Sequence, residues 1–267
     1  KCFWMRVYEI PEGSKNSKGR AIQNLISIEQ DDKVKAFICT QDLKDDDYIN
    51  NHYVIMATKM GQVKKTSLEQ YSRPRSNGIN AITIKDGDEL LEAKLTNGNS
   101  QIMLAVKSGK AIRFEESKTR PMGRNASGVR GIRLKDNKDE VVGMISVNDM
   151  DANILVVSEN GYGKRSSLED YRLTNRGGKG VKTISITTKT GQLVSLKSVT
   201  DSDDLMIINK SGIAIRMQVA DLRVMGRATQ GVKVISIKDG DGIAAVAKVM
   251  NDEEEIGVAG HYSLMRY

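Results

Sequence analysis

The chain has 267 residues, 39% of them hydrophobic and 28% charged, with a formal net charge of +7 at pH 7. That apolar content supports a globular core, and its Ile/Val-rich, aromatic-poor make-up favours strands over helices. With no run of about 18 apolar residues and no signal-peptide pattern in KCFWMRVYEIPEG, the expectation is a soluble cytoplasmic chain with no membrane partner.

Cys2 and Cys39 have no Cys or His neighbours at metal spacing, so both read as buried free thiols, with no zinc site and no disulfide framework. His52 and His261 are the only histidines, and neither belongs to a Ser/His/Asp or Cys/His pattern. Catalytic residues, metal ligands and cofactors are therefore expected to be none, which argues against an enzyme with its own active site.

In chain order, residues 1–52 hold a partial unit, RVYEIPEGSKNSKGRAIQNLI, that lacks its first strand. Four full units follow, at residues 53–100, 101–152, 153–203 and 204–250. They open on YVIMATKMGQVKK, QIMLAVKSGKAIR, NILVVSENGYGKR and DLMIINKSGIAIR. A first glycine recurs at Gly61, Gly109, Gly161 and Gly212, and a second at Gly78, Gly128, Gly180 and Gly231, always 48 to 52 residues apart. Such a period marks a repeat architecture.

Each unit reads as four strands: an apolar run such as residues 154–158, a glycine turn, a second strand, a basic loop, a third strand such as residues 181–186 and a fourth such as residues 193–199. Radial repetition of four-stranded units predicts an all-β, propeller-like disc, with solenoid stacking as the rival. Residues 251–267 form an acidic tail: Asp252 to Glu255 read as a solvated linker in preference to a competitor for the basic surface, and IGVAGHYSLMRY as a closing strand or an appended remnant.

Charge is not spread evenly. Between the first glycine and the third strand the four full units hold 21 Lys or Arg against 6 Asp or Glu, whereas the rest of the chain holds 20 against 28. The candidate DNA-binding residues are Lys64, Lys65, Arg73 and Arg75 in the first unit, and Lys110, Arg113, Arg120, Arg124 and Arg130 in the second. The third supplies Lys164, Arg165, Arg172, Arg176, Lys179 and Lys182, and the fourth Arg216, Arg223, Arg227 and Lys233. An excess repeating in register predicts a curved positive band suited to the phosphates of duplex DNA. Aromatic residues are only 4% of the chain, so stacking on single strands is not expected, and no base-reading motif is present.

The densest stretch is NRGGKG. It is not a phosphate loop of the nucleotide-binding kind, because Val181 begins a strand where that motif requires a helix. Gly177 and Gly178 instead read as letting backbone N–H groups, with Arg176 and Lys179, approach a large polyanion.

These residues carry a resemblance. RVYEIPEGSKNSKGRAIQNLI, GYGKRSSLEDY, NASGVRGIRL and VMGRATQGVKVI resemble the C-terminal DNA-wrapping domain of the DNA gyrase A subunit, over roughly residues 1–250. The resemblance implies a β-pinwheel, a propeller-like disc in which neighbouring blades exchange a strand. It implies a non-catalytic module that wraps double-stranded DNA around a basic rim. Its partners would be the B subunit, together with the rest of the A subunit, in an A2B2 holoenzyme: a bacterial, nucleoid-associated type II topoisomerase that uses ATP to supercoil DNA negatively. The family's box, Gln-Arg-Arg-Gly-Gly-Lys-Gly, is matched in its last five positions by Arg176, Gly177, Gly178, Lys179 and Gly180, with Thr174 and Asn175 departing. The family's box lies on the first blade, so this is expected to be a box-like loop of a later blade, with the true box upstream of Lys1. The equivalent domain of topoisomerase IV and a propeller-type protein scaffold are the alternatives.

Overall fold

The first apolar run of every full repeat becomes a central strand, because a buried strand must have its backbone N–H and C=O groups paired on both sides. The computed structural model describes residues 1–14, 17–29, 32–238 and 240–249, and the tail 251–267 lies outside them. The first repeat forms β1 (Tyr53–Thr58), β2 (Gln62–Ser67) and β3 (Leu90–Thr96). The second forms β4 (Gln101–Val106) and β5 (Lys110–Glu115), then β6 (Val129–Arg130) and β7 (Val141–Val147). The third forms β8 (Asn153–Ser158), β9 (Tyr162–Ser167), β10 (Val181–Lys182) and β11 (Leu193–Val199). The fourth forms β12 (Asp204–Asn209), β13 (Ala214–Gln218), β14 (Val232–Lys233) and β15 (Ile243–Val249).

The strands assort into antiparallel sheets ordered β3-β1-β2-β6, β10-β5-β4-β7, β11-β8-β9-β14 and β13-β12-β15. In three of them the short fourth strand comes from the following repeat, which is the expected strand exchange. Among the described residues the partial repeat makes one β-bridge to this scheme: Cys2 and Ile79 exchange main-chain hydrogen bonds of 2.8 and 3.0 Å.

The second glycine is where the exchanged strand crosses its host. Gly180 and Gly231 have φ of 68° and 81°, and a Cβ there would lie 2.5 Å from the Ala111 oxygen and 2.7 Å from the Gly163 oxygen. Only glycine permits both the left-handed backbone and the approach.

The third strand is shorter than the reading 181–186. Only Val181 and Lys182 pair, and they pair with β5 of the preceding repeat. Thr183 N–H then turns onto the Gly109 carbonyl at 2.8 Å, pulling Ile184 into the core instead of continuing the ladder. A further element absent from the sequence reading is α1 (Asp46–Asn51), whose N-cap Asp45 accepts from Tyr48 N–H at 3.2 Å.

The described residues divide into two compact units: Lys1–Asn99 with Thr119–Arg130, and Ser100–Lys118 with residues 131–249. The first is built on Ile49, Val54, Met56, Leu68, Tyr71 and Ile79, against which Trp4, Ala36 and Ile38 of the partial repeat pack. The second has one cluster around Met103, Ile154, Tyr171 and Ile184 and another around Leu155, Leu205, Val219 and Leu222. Cys39 is exposed and Cys2 only partly buried, which corrects the reading of two buried thiols. The partial repeat keeps its register, with a 3-10 turn at Val7–Glu9, but Val7 is 79% exposed where its counterpart Leu168 is 2% exposed. Leu168 shares its cluster with the repeat's own first strand, and among the described residues the partial repeat has no such strand.

Candidate nucleic-acid interface

The basic residues sort by register. Counting from the first glycine of each repeat, position 4 is Lys65, Arg113, Arg165 or Arg216, always basic, and position 3 is Lys64, Ile112, Lys164 or Ile215. Both positions lie on the second strand of the hairpin, and successive side chains there point to opposite faces. In the first three sheets this strand is flanked on both sides and the next repeat's loop is anchored over it, so its cations are covered instead of meeting solvent.

Four candidates are therefore misplaced as phosphate contacts. Lys64 and Lys164 have no solvent exposure, and Lys65 and Arg165 are only 4% and 7% exposed. The Lys64 ammonium donates to the carbonyls of Ala81 and Arg124. That of Lys164 donates to Gly226 O at 2.7 Å, to Arg227 O and to Thr229 Oγ1 at 3.0 Å. Burial pushes both lysines down to about 8, and the Arg124 and Arg227 charges push the same way, while Asp170 opposes the shift at Lys164. Lys65 places Nζ 4.0 Å from the Tyr53 ring centroid, and Arg165 pairs with Asp201 and donates to Leu222 O.

Two more candidates are committed to the protein. Arg113 donates to Gln101 Oε1 at 2.6 Å and to the carbonyls of Leu168 and Tyr171 at 2.9 and 3.0 Å. Arg216 pairs with Asp204 at 2.7 Å. A signal for this structural role was present in the sequence: a cation at the same strand position of every full repeat, flanked by residues of β-strand pattern.

The remaining candidates are exposed or half-buried, again in register, with Arg227 Nη1 donating to Lys182 O at 2.8 Å. Position 11 is Arg120, Arg172 or Arg223, all exposed, and position 15 is Arg124, Arg176 or Arg227, all half-buried. Position 21, the second residue of each exchanged strand, is Arg130, Lys182 or Lys233, all exposed. Lys179 is exposed and Lys110 half-buried. In the first compact unit Arg73, Arg75 and Arg124 converge with Glu69, Gln70 and Ile79 on an open cleft of about 410 Å³. In the second, Arg172 and Lys179 line a smaller cleft of about 140 Å³ with Thr174 and Asn175.

The box-like loop is packed, not a free tip. Gly177 N–H donates to Gly131 O at 2.6 Å, and Gly178 O accepts from Arg133 N–H at 2.8 Å. Arg176 Nε donates to Lys118 O at 3.0 Å. The Gly177 amide expected to meet phosphate is thus already used, and what the loop presents is the Lys179 side chain and the exposed face of Gly178. Among the described residues, no group of three His, Cys, Asp or Glu could hold a metal ion, and no helix is long and apolar enough to cross a membrane.

Comparison with known proteins agrees with this architecture. The A subunit of DNA gyrase from Staphylococcus aureus strain NCTC 8325 is 43% identical over 257 residues, 96% of this chain, and strain COL gives the same figures. The chain spans 28% of the length of these relatives. Among solved structures, the C-terminal domain of DNA topoisomerase IV superposes with a TM-score of 0.85 at 25% identity, covering 97% of this chain and 80% of that one. A DNA gyrase A C-terminal domain gives 0.78 at 24% identity, covering 92% and 78%, a likeness of fold. The family described as "DNA gyrase C-terminal domain, beta-propeller" matches residues 1–41, 52–97, 101–148, 152–200 and 203–250, and the chain belongs to that family.

Proposed function

We propose that this chain is a non-catalytic module of a DNA gyrase A subunit that binds double-stranded DNA along its basic loops and bends it. In that role it supports ATP-dependent negative supercoiling by an A2B2 assembly with the B subunit, in the bacterial cytoplasm at the nucleoid, and needs no cofactor of its own. The observation that carries the reading is the set at positions 11, 15 and 21, nine cations in three repeats, of which the six at positions 11 and 21 are exposed. Cations that keep one register while the position 4 cations of the first three repeats turn inward are arranged for an extended polyanion, and phosphates supply one at regular spacing. Contacts to phosphate carry no base information, so sequence preference is small.

The topoisomerase IV reading fits the fold equally, but the 43% identity to gyrase A and the loop Arg176–Gly180 favour gyrase. The test is a salt titration of binding to a fluorescent duplex of about 40 bp. If about 8 to 12 phosphates are neutralised, log K falls against log salt with a slope of about −7 to −11. Absence of salt-dependent duplex binding would leave a protein-interaction scaffold as the better account.

A further inference from the structure

The buried lysines answer to a pattern in the loops laid over them. Lys64 and Lys164 stand at position 3 of repeats 1 and 3, and in each case the next repeat's loop reads Met-Gly-Arg: Met122, Gly123 and Arg124, then Met225, Gly226 and Arg227. Repeat 2 has Ile112 at position 3, and the loop over it is the box-like one, with Gly178 where a Cβ would sit 3.4 Å from Ile112 Cδ1.

All three loops share a first anchor, the N–H of position 13 on the carbonyl of position 4: Met122 on Lys65 at 2.8 Å, Thr174 on Arg113 at 2.9 Å and Met225 on Arg165 at 2.8 Å. A second anchor is also common to them: the carbonyl of position 17 accepts from the preceding repeat, Ala126 from Thr83 N–H at 3.3 Å, Gly178 from Arg133 N–H at 2.8 Å and Thr229 from Ser185 N–H at 3.1 Å. The third anchor differs: the box-like loop donates its Gly177 amide to Gly131 O, whereas the Met-Gly-Arg loops turn carbonyls down onto an ammonium. At Lys164 three acceptors meet the three donors of one –NH3+. A buried ammonium left without these acceptors would be strongly destabilising.

We propose that Lys64 and Lys164 are positioning residues for phosphate contact, each fixing the loop of the following repeat so that Arg124 or Arg227 faces DNA, and each placing a positive charge behind that arginine. The inference rests on the DNA-binding reading above. Its electrostatic consequence follows from the surroundings. Lys164 faces Arg227 and Asp170, and Lys64 faces Arg124 and shares the Ala81 carbonyl with the Tyr71 hydroxyl, which donates to it at 3.3 Å; the Tyr171 hydroxyl, in the same core, pairs with Thr183. Tyr71 is pushed up to about 12 and Tyr171 upward, both by burial, so neither ionises near pH 8. Burial holds both lysines down at about 8, and a phosphate arriving at the neighbouring arginine favours their charged form. Duplex binding at about pH 8.5 therefore takes up protons.

The test compares the chain with Lys64→Met, Lys164→Met and the double variant, Met keeping the stem and removing the ammonium. Lys164→Gln serves as a second variant that keeps two neutral donors. Without DNA, hydrogen exchange across residues 225–230 is expected to rise about tenfold in Lys164→Met and less in Lys164→Gln, with β12 unchanged. Titration calorimetry with a 40-bp duplex at pH 8.5, in two buffers of different ionisation enthalpy, is expected to show proton uptake that shrinks in each single variant and vanishes in the double. The salt slope is expected to shrink by about 1 for each phosphate that is no longer neutralised. Exchange equal to wild type in Lys164→Met, or equal proton uptake in wild type and double variant, overturns the proposal. Failure of wild type to bind the duplex overturns the DNA-binding reading instead, and the exchange result then decides the loop-fixing role alone.

Discussion

Lys164 donates from a side chain with no solvent exposure to the carbonyl of Gly226, 62 residues further along the chain, at 2.7 Å. A cation in the basic segment of one repeat thereby becomes part of the foundation for the basic loop of the next.

The first prediction concerns pH. Lys164 is lowered from 10.5 to about 8 in the folded chain, so between these values the unfolded state binds more protons than the folded one, and stability rises with pH across the window. Tyr71, raised from 10.0 to about 12, works in the opposite sense above pH 10. Urea unfolding at pH 7.5, 8.5 and 9.5 should show wild type gaining stability relative to Lys164→Met. A difference that stays level or shrinks would mean that the folded ammonium is not desolvated.

Strand exchange makes the second glycine irreplaceable. Gly231→Ala forces a side chain into φ of 81° with its Cβ 2.7 Å from the Gly163 oxygen, and should cost about 1–3 kcal/mol or more. Gly226→Ala, with nothing within 4 Å of the added atom, should stay within about 0.5 kcal/mol of wild type. Thermal unfolding of the two variants, compared side by side, checks the contrast.

Inward and outward arginines should separate in two assays. Arg165→Ala removes a donor to the Leu222 carbonyl and is expected to lose about 1–3 kcal/mol of stability. Arg172→Ala, exposed at position 11, is expected to leave unfolding within about 0.5 kcal/mol of wild type while lowering the salt slope of duplex binding by about 1. Equal effects of both variants in both assays would remove the distinction.

Bending is a stronger claim than binding. Curving 20–30 bp through 40–90° costs about 1–6 kcal/mol, which added phosphate contacts can offset. Fluorophores at the ends of a duplex of about 40 bp should show increased energy transfer with wild type and less with Arg176→Ala combined with Lys179→Ala. No increase at saturating wild-type protein would leave a module that binds DNA without bending it.

The sequence by itself determined the repeat, its all-β character and the hairpin that opens each unit. These are local matters: an apolar run, a glycine turn and a second strand lie within about fifteen residues, and each leaves its own pattern. The short β10 at Val181–Lys182 was read too long because the same apolar pattern serves a strand and a segment that folds into the core, as Ile184 does. Its partner β5 belongs to another repeat, and a pairing of that range has no local signature. The site divides in the same way. Composition showed that the cations gather in one segment of each repeat, but not which way each one points. Lys164 and Arg165 adjoin Ser166 on one buried strand and Arg172 lies seven residues beyond Arg165, so charge density cannot tell them apart. Tertiary structure decides, because the exchanged strand and the following loop cover positions 3 and 4 and leave positions 11 and 21 outside.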